Sequence, residues 1–286
     1  MLDFNSIRRQ ETLDQRAFLK EDHSLQFDIT LAVESLASGH PTAPNAPSAN
    51  RWTVAFKSLE LLLLGYTAGR PIEELRTQLP TVIARFGNYL GQDASPSRKP
   101  PPEHVADTLE ITQLDNYVYV FWLLALCKLL RHETLVQEVV RWVDQSWDVN
   151  RRRDALFESV VAELTGVRLA TPRVMLHPDP YHSLGRVTLV PPDERVACMK
   201  TLLDDWYDGM EPTYWHDSHI GDVHFGYWCL EAALVTVLWN VDDSSYRDHP
   251  HYPSDLVDWY RISNEQNQTT FSGLRTSVAP DSSSTI

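Results

Sequence analysis

Apolar and polar positions alternate along the chain in a pattern that predicts helices almost throughout. Leu13, Phe18, Leu25, Ile29, Val33 and Leu36 recur at helical spacing and predict a helix over 12–37. Gly39 to Pro47, with three prolines, reads as a loop. Trp52, Phe56, Leu59, Leu62 and Leu63 carry a second helix from Arg51 to Tyr66, which Thr67-Ala68-Gly69-Arg70-Pro71 breaks. A third opens at Pro71 and runs to about Leu90. Glu73 and Glu74 sit in its first turn, where the helix dipole favours acids. Residues 91–102 hold four prolines and read as a solvated loop. The helix predicted over 103–131 is apolar on every side around Val118, Val120, Phe121, Trp122, Leu123 and Leu124, as befits the middle of a bundle.

Helices follow over 133–147 and 151–165. Residues 171–192 contain five prolines and one glycine, and predict an extended connection in which Val187-Thr188-Leu189-Val190 resembles a short strand. Pro191-Pro192-Asp193-Glu194 opens a helix reaching Tyr207, and further helices are predicted over 222–240 and 253–261. The tail from Ser263, rich in Ser, Thr, Asn and Gln, lacks a buried pattern and is predicted to be disordered. The fold class is all-α: a helical bundle built from an N-terminal half, 5–147, packed on a C-terminal half, 150–262, with a tail over 263–286.

Charge sharpens this picture. Lys plus Arg is 25 and Asp plus Glu 39, a net charge of −14. Such a chain is a poor direct ligand for nucleic acid or an anionic membrane, because phosphate contacts need Lys and Arg. The longest apolar run, Tyr117 to Cys127, is too short for a span of about 20 residues. Cys127, Cys198 and Cys229 are odd in number and set in apolar runs, so buried free thiols are expected. With no secretory signal at the N-terminus, a soluble, cytoplasmic protein is expected. The acid is concentrated. Residues 201–260 hold twelve acids (Asp204, Asp205, Asp208, Glu211, Asp217, Asp222, Glu231, Asp242, Asp243, Asp248, Asp255 and Asp258) against one base, Arg247, and five of the nine tryptophans.

Motifs for chemistry are sparse. Asp204-Asp205 and Asp242-Asp243 are adjacent pairs, but neighbours on a helix point apart, so adjacency makes no acid dyad. Asp242-Asp243-Ser244-Ser245 instead resembles a helix end followed by a turn. His216, Asp217, His219, Asp222 and His224 cluster as zinc or iron ligands would, yet they lack the helix-borne His-Glu-x-x-His spacing, so the expectation is no metal and no cofactor. Neither a Gly-x-Ser-x-Gly elbow nor a Walker loop is present. Arg151-Arg152-Arg153 reads as a solvated, salt-bridged helix start. Glu231, among apolar neighbours, is expected in a buried ion pair.

Two blocks resemble a known family. His224-Phe225-Gly226-Tyr227-Trp228-Cys229-Leu230-Glu231-Ala232-Ala233, followed by Asp242-Asp243-Ser244-Ser245-Tyr246-Arg247-Asp248-His249-Pro250-His251-Tyr252-Pro253-Ser254-Asp255-Leu256, resembles the C-terminal domain of PoNi-type immunity proteins. Asp204-Asp205-Trp206-Tyr207 and Trp215-His216-Asp217-Ser218-His219 fit the same domain. Tyr66-Thr67-Ala68-Gly69-Arg70-Pro71-Ile72-Glu73-Glu74-Leu75 resembles the companion N-terminal domain, and the whole is similar to TsiT-like antidotes.

The resemblance implies an all-α, non-catalytic antitoxin that neutralises a cognate nuclease toxin of a type VI secretion system. The toxin is expected to be basic and encoded next door, and the antidote to be a monomer or a homodimer. An acidic surface suits that partner, because a nuclease presents cations to phosphate. The contact is placed on the 201–222 loop and the 242–248 turn: Asp204, Asp205, Asp208, Glu211, Asp217, Asp222, Asp242 and Asp243 for charge, and Tyr214 and Trp215 as aromatic anchors if exposed. The competing classes are a metal-dependent helical hydrolase using the His216–His224 cluster and a helical scaffold without a toxin partner.

Overall fold

The computed structural model describes residues 3–39, 46–91, 108–221 and 224–276, without the side chains of 267–276. The elements are α1 (Phe4–Ile7), α2 (Gln15–Ser38), α3 (Ala46–Thr67), α4 (Ile72–Leu90), α5 (Leu114–Leu129), α6 (Glu133–Asp144), α7 (Trp147–Asn150), α8 (Ala155–Thr165), α9 (Pro178–Val187), α10 (Pro192–Gly209), α11 (Leu230–Leu238) and α12 (Ser254–Thr276). A 3-10 turn spans Ser218–Ile220. Among the described residues there is no strand, and the fold is all-α.

Local chemistry explains where several helices start and stop. Asp14 caps α2 by accepting from Ala17 N at 2.7 Å, and Gly39 closes it in the left-handed region. Asp154 caps α8 through Phe157 N at 2.7 Å and also accepts from Leu176 N and Tyr117 Oη, tying the 171–177 loop to α5. Pro80 lies inside α4 and cannot donate to Arg76 O, four residues back. The ring of His132 hydrogen-bonds that carbonyl at 2.8 Å instead, so the helix continues without a buried orphan.

The helix α5 occupies the centre and packs against α4, α6, α11 and α12. Its residues from Tyr117 to Cys127 are all buried, as the all-round apolar pattern predicts. The other helices follow the same logic. α2 lies on α3, α3 on α4, and α9 on α10. The buried core is continuous from Leu13 to Val257. Cys127, Cys198 and Cys229 are free and buried, and burial pushes the Cys127 thiol up to about 12. Among the described residues no helix is long and apolar enough to cross a membrane.

Several predicted elements differ. The connection at 171–192 contains α9: two of its prolines stand in the first turn of that helix, where a missing N–H costs nothing. The Val187–Val190 segment ends α9 as a turn rather than a strand. The helix expected over 103–131 spans only Leu114–Leu129, and the one expected over 222–240 only Leu230–Leu238. Residues 224–229 run without helix because they bind the N-terminal half. Thr67 Oγ1 donates to Phe225 O at 2.6 Å and accepts from Trp228 Nε1 at 2.9 Å, while the Gln10 side chain pairs with both backbone groups of Tyr227. Gly226, at φ 107°, permits the close approach, since a Cβ there would run into Thr67 Oγ1. The final helix extends past the predicted 261 to Thr276, so the tail is helical to that point. The loop at 92–102 and the end of the tail, 277–286, lie outside the described residues.

Two charge expectations also change. Arg151 is buried rather than solvated, clamped by Glu158 at 2.9 Å and Asp144 at 2.5 Å. Glu231 is fully buried but not ion-paired. Tyr181 Oη donates to its Oε1 at 2.5 Å, and its Oε2 has no partner in hydrogen-bond geometry. Burial drives its carboxyl up to about 7, against Tyr181 and the nearby Trp122 indole and Cys229 thiol, which pull it down. A protonated carboxyl hydrogen-bonded to a tyrosine needs no buried cation.

Candidate binding surface

The acids of the C-terminal half fall into two sets. One set is neutralised. Asp243 accepts from Arg261 Nη1 at 2.7 Å and Tyr252 Oη at 3.1 Å, with Arg247 Nη1 3.8 Å away. Asp258 takes Arg247 Nη2 at 2.5 Å. Asp255 receives both the Arg9 guanidinium and the Tyr66 hydroxyl. Two of these three arginines come from outside the 201–260 segment, one of them from the far end of the chain.

The second set faces solvent. Asp204, Asp205 and Asp208 lie exposed along the C-terminal half of α10, Glu211 in the turn after it, and Asp217 just before the 3-10 turn. Asp242 and Asp248 are exposed on the 242–249 turn. Among the described residues no Lys or Arg forms an ion pair with any of them. The near contacts are His249 Nε2, 3.9 Å from Asp204, and His216 Nδ1, 3.6 Å from Asp217. Burial holds His249 below its usual pKa, so it adds no positive charge at neutral pH.

This arrangement runs against the helix dipole. The carbonyl end of α10 carries partial negative charge, which basic residues offset at the ends of α5, α6 and α9 through Lys128, Arg141 and Arg186. The last turn of α10 contains Asp208 and no base. The same holds for α8, whose last turn contains Glu163 and no base.

Two clefts extend the surface. One of about 220 Å³ lies between α10 and the 242–249 turn, with Lys200, Asp204, Asp248 and His249 in its walls. The other, of about 380 Å³, brings Asp179 at the start of α9 beside Asp208 and Glu211, between Pro178, Pro180 and Pro212. Asp179 had no signal in the acid-rich segment, because it joins the surface only through the packing of α9 on α10. Asp248 lies on the 242–248 turn assigned to the contact, although it is not among the acids named there for charge.

The remaining site residues divide. Trp215 is buried, with its ring 5.6 Å from Trp206 and 5.5 Å from Trp122, so it is a core residue and not a surface anchor. Asp243 is likewise buried and spent on its arginines. Tyr214 is 49% exposed, but its hydroxyl donates to Glu60 Oε1 at 2.5 Å and pairs with Tyr119 Oη. Its ring therefore stands at the surface while its head is tied to α3. Asp217 accepts from Tyr207 Oη at 2.8 Å. Asp242 accepts from Ser244 N and Oγ, the turn chemistry expected there, and these bonds hold its carboxyl below the usual range. Asp222 lies outside the described residues.

The histidines are engaged in packing and hydrogen bonds. His216 stacks on Tyr207 at 4.4 Å, and His251 stacks on the same ring at 5.3 Å. His219 Nδ1 meets Tyr227 Oη at 2.7 Å. His224 is buried against Thr12 Oγ1 at 3.0 Å, and desolvation, aided by His219, pushes it down to about 4. Among the described residues no three His, Cys, Asp or Glu side chains converge on a point that would hold a metal.

The site defined by this all-α scaffold is an acid-rich surface in which Asp204, Asp205, Asp208, Glu211 and Asp248 form no ion pair with Lys or Arg among the described residues, although Lys200 and Arg247 stand nearby. Two family models then identify the chain. Residues 43–141 match the N-terminal domain of the PoNe immunity protein (PoNi), and residues 152–256 match the C-terminal domain of PoNe immunity proteins. The chain belongs to this family of toxin-neutralising immunity proteins. It is also similar to the crystal structure of protein PA2201 from Pseudomonas aeruginosa, with 22% identity and a TM-score of 0.66 over 90% of this chain and 92% of that one. That likeness shows the fold. No curated protein matches the chain.

Proposed function

We propose that the protein neutralises a nuclease toxin of a type VI secretion system, in the cytoplasm, by covering the toxin's basic groove with the acidic face of α10 and the 242–249 turn. The supporting observation is the separation of the two acid sets: Asp243, Asp255 and Asp258 hold arginines, while Asp204, Asp205, Asp208, Glu211 and Asp248 form no ion pair with Lys or Arg among the described residues. The cleft walled by Asp179, Asp208 and Glu211 contains no Lys or Arg, and there a basic side chain of the toxin would find three carboxylates. The protein acts by binding alone. Opposed charge of this kind speeds capture, raising association rates toward about 10⁸ M⁻¹s⁻¹ or more at low salt.

The test uses the purified toxin domain expected to be encoded beside the gene, with DNA cleavage and stopped-flow association followed at low and high salt. Stoichiometric inhibition with an on-rate that falls steeply with salt is expected. Reversing Asp204, Asp208 and Glu211 to lysine should slow association about tenfold or more at low salt. Asp217 is left intact because it also bonds Tyr207. A tight complex with salt-independent kinetics, unaffected by the triple reversal, would move the contact elsewhere on the protein.

A further inference from the structure

The outermost helix of the N-terminal half carries a second exposed face of opposite character. On α2, Leu25, Ile29 and Ala32 are buried toward α3. On the other side Leu19, Phe27 and Leu31 are 58%, 60% and 56% exposed, and exposed His23 falls between the first two. These four residues are spaced four apart, so they form one continuous ridge along the helix. Isolated exposed apolar residues need no explanation, but a ridge of three large ones diametrically opposite the core does.

We infer that this ridge is the interface of a homodimer, in which α2 packs antiparallel against α2 of a second copy about a two-fold axis level with Leu25. The charges at the ends of the ridge argue for this occupant. Under that axis Leu19 meets Leu31 of the second copy and His23 meets Phe27. The same register brings exposed Arg16 against exposed Glu34, twice by symmetry. A two-fold contact must be complementary to itself, and this face satisfies that in both its apolar and its charged positions. The surface lies on a different helix from the acidic face of α10, so pairing leaves each copy's toxin surface on its own C-terminal half.

The test is the solution mass of the full-length chain against concentration, by sedimentation or light scattering. A species of twice 32.8 kDa that dissociates on dilution is expected. Phe27→Asp should return it to the monomer mass with unchanged helix content and with the melting temperature of the parent chain diluted to monomer. Arg16→Glu should weaken the dimer about tenfold at low salt, and adding Glu34→Arg to that variant should restore it. A monomer at every concentration up to several hundred micromolar overturns the inference. A dimer indifferent to Phe27→Asp does so too, and failure of the charge swap to rescue overturns the antiparallel register. A monomeric chain whose Phe27→Asp variant loses toxin capture would assign the face to the toxin.

Discussion

Two groups of carboxylates share the last part of this protein and do opposite work. Asp243, Asp255 and Asp258 hold Arg261, Arg9 and Arg247 and join α12 to the chain's N-terminus and to the 242–249 turn. Asp204, Asp205 and Asp208 on α10, and Glu211 in the turn after it, hold no Lys or Arg among the described residues and are exposed to solvent. The same side chain is a fastener where an arginine arrives and an unscreened charge where none does. Acid content alone therefore overstates the charge available to a partner. What matters is the remainder after the fold has used its cations.

The comparison can be tested from its interior outward. The largest effects belong to the residues that the fold has absorbed. Trp215→Ala removes a fully buried indole between two others and should cost about 3–5 kcal/mol in a urea melt. Asp243→Ala takes the carboxylate partner from Arg261 and the acceptor from Tyr252, while Arg247 keeps Asp258, and should cost about 2–3 kcal/mol. A loss below about 1 kcal/mol for Asp243→Ala would put that carboxylate with the outward set.

Next comes a pair of buried titrating groups. Glu231 is pushed up to about 7, so the unfolded chain gives up this proton first, near 4.5. Stability from this group is therefore lost as pH rises from about 4.5 to 7. His224 is pushed down to about 4, so the unfolded chain takes up a proton first, near 6.5. Its contribution is lost as pH falls from about 6.5 to 4. Each shift corresponds to about 3 kcal/mol, and the two slopes oppose each other over the shared window. Relative to the parent protein, Glu231→Gln should make stability rise with pH between 4.5 and 6.5, and His224→Asn should make it fall. Denaturant midpoints measured across that range decide this, and parallel profiles for all three proteins would contradict it.

Smaller effects lie at the boundary. Tyr214→Phe loses the bonds to Glu60 and Tyr119 but keeps the exposed ring, and should cost about 1 kcal/mol while leaving toxin capture intact. The smallest stability change is expected for the lysine reversal of Asp204, Asp208 and Glu211, within about 0.5 kcal/mol. That variant alone should show its defect in capture rate, measured beside its unaltered melt. A large loss of stability there would mean that these acids also serve the fold.

Much was legible in one dimension. The period of Leu25, Ile29 and Leu36, and the all-round apolarity of α5, specify helices because each local pattern matches the surface it will bury. Proline was ambiguous: at 178 and 180 it starts a helix, while the same residue elsewhere breaks one, and only the neighbouring packing decides. The 224–229 segment was apolar enough to read as helix. It is held out of a helix by Thr67 and Gln10, partners more than 150 positions away. Among the candidate contact residues, the acids of α10 were legible because their number exceeds the nearby bases. The burial of Trp215 and Asp243, the arrival of Asp179, and the recruitment of Arg9 were not.

The sequence by itself determined the helical class, the family blocks and the excess of acid, all properties that depend on composition or on neighbours a few residues apart. The tertiary structure alone decided which acids remain charged and unpaired at the surface. That depends on which cation lies within about 4 Å, and a Coulomb interaction at that range takes no account of distance along the chain.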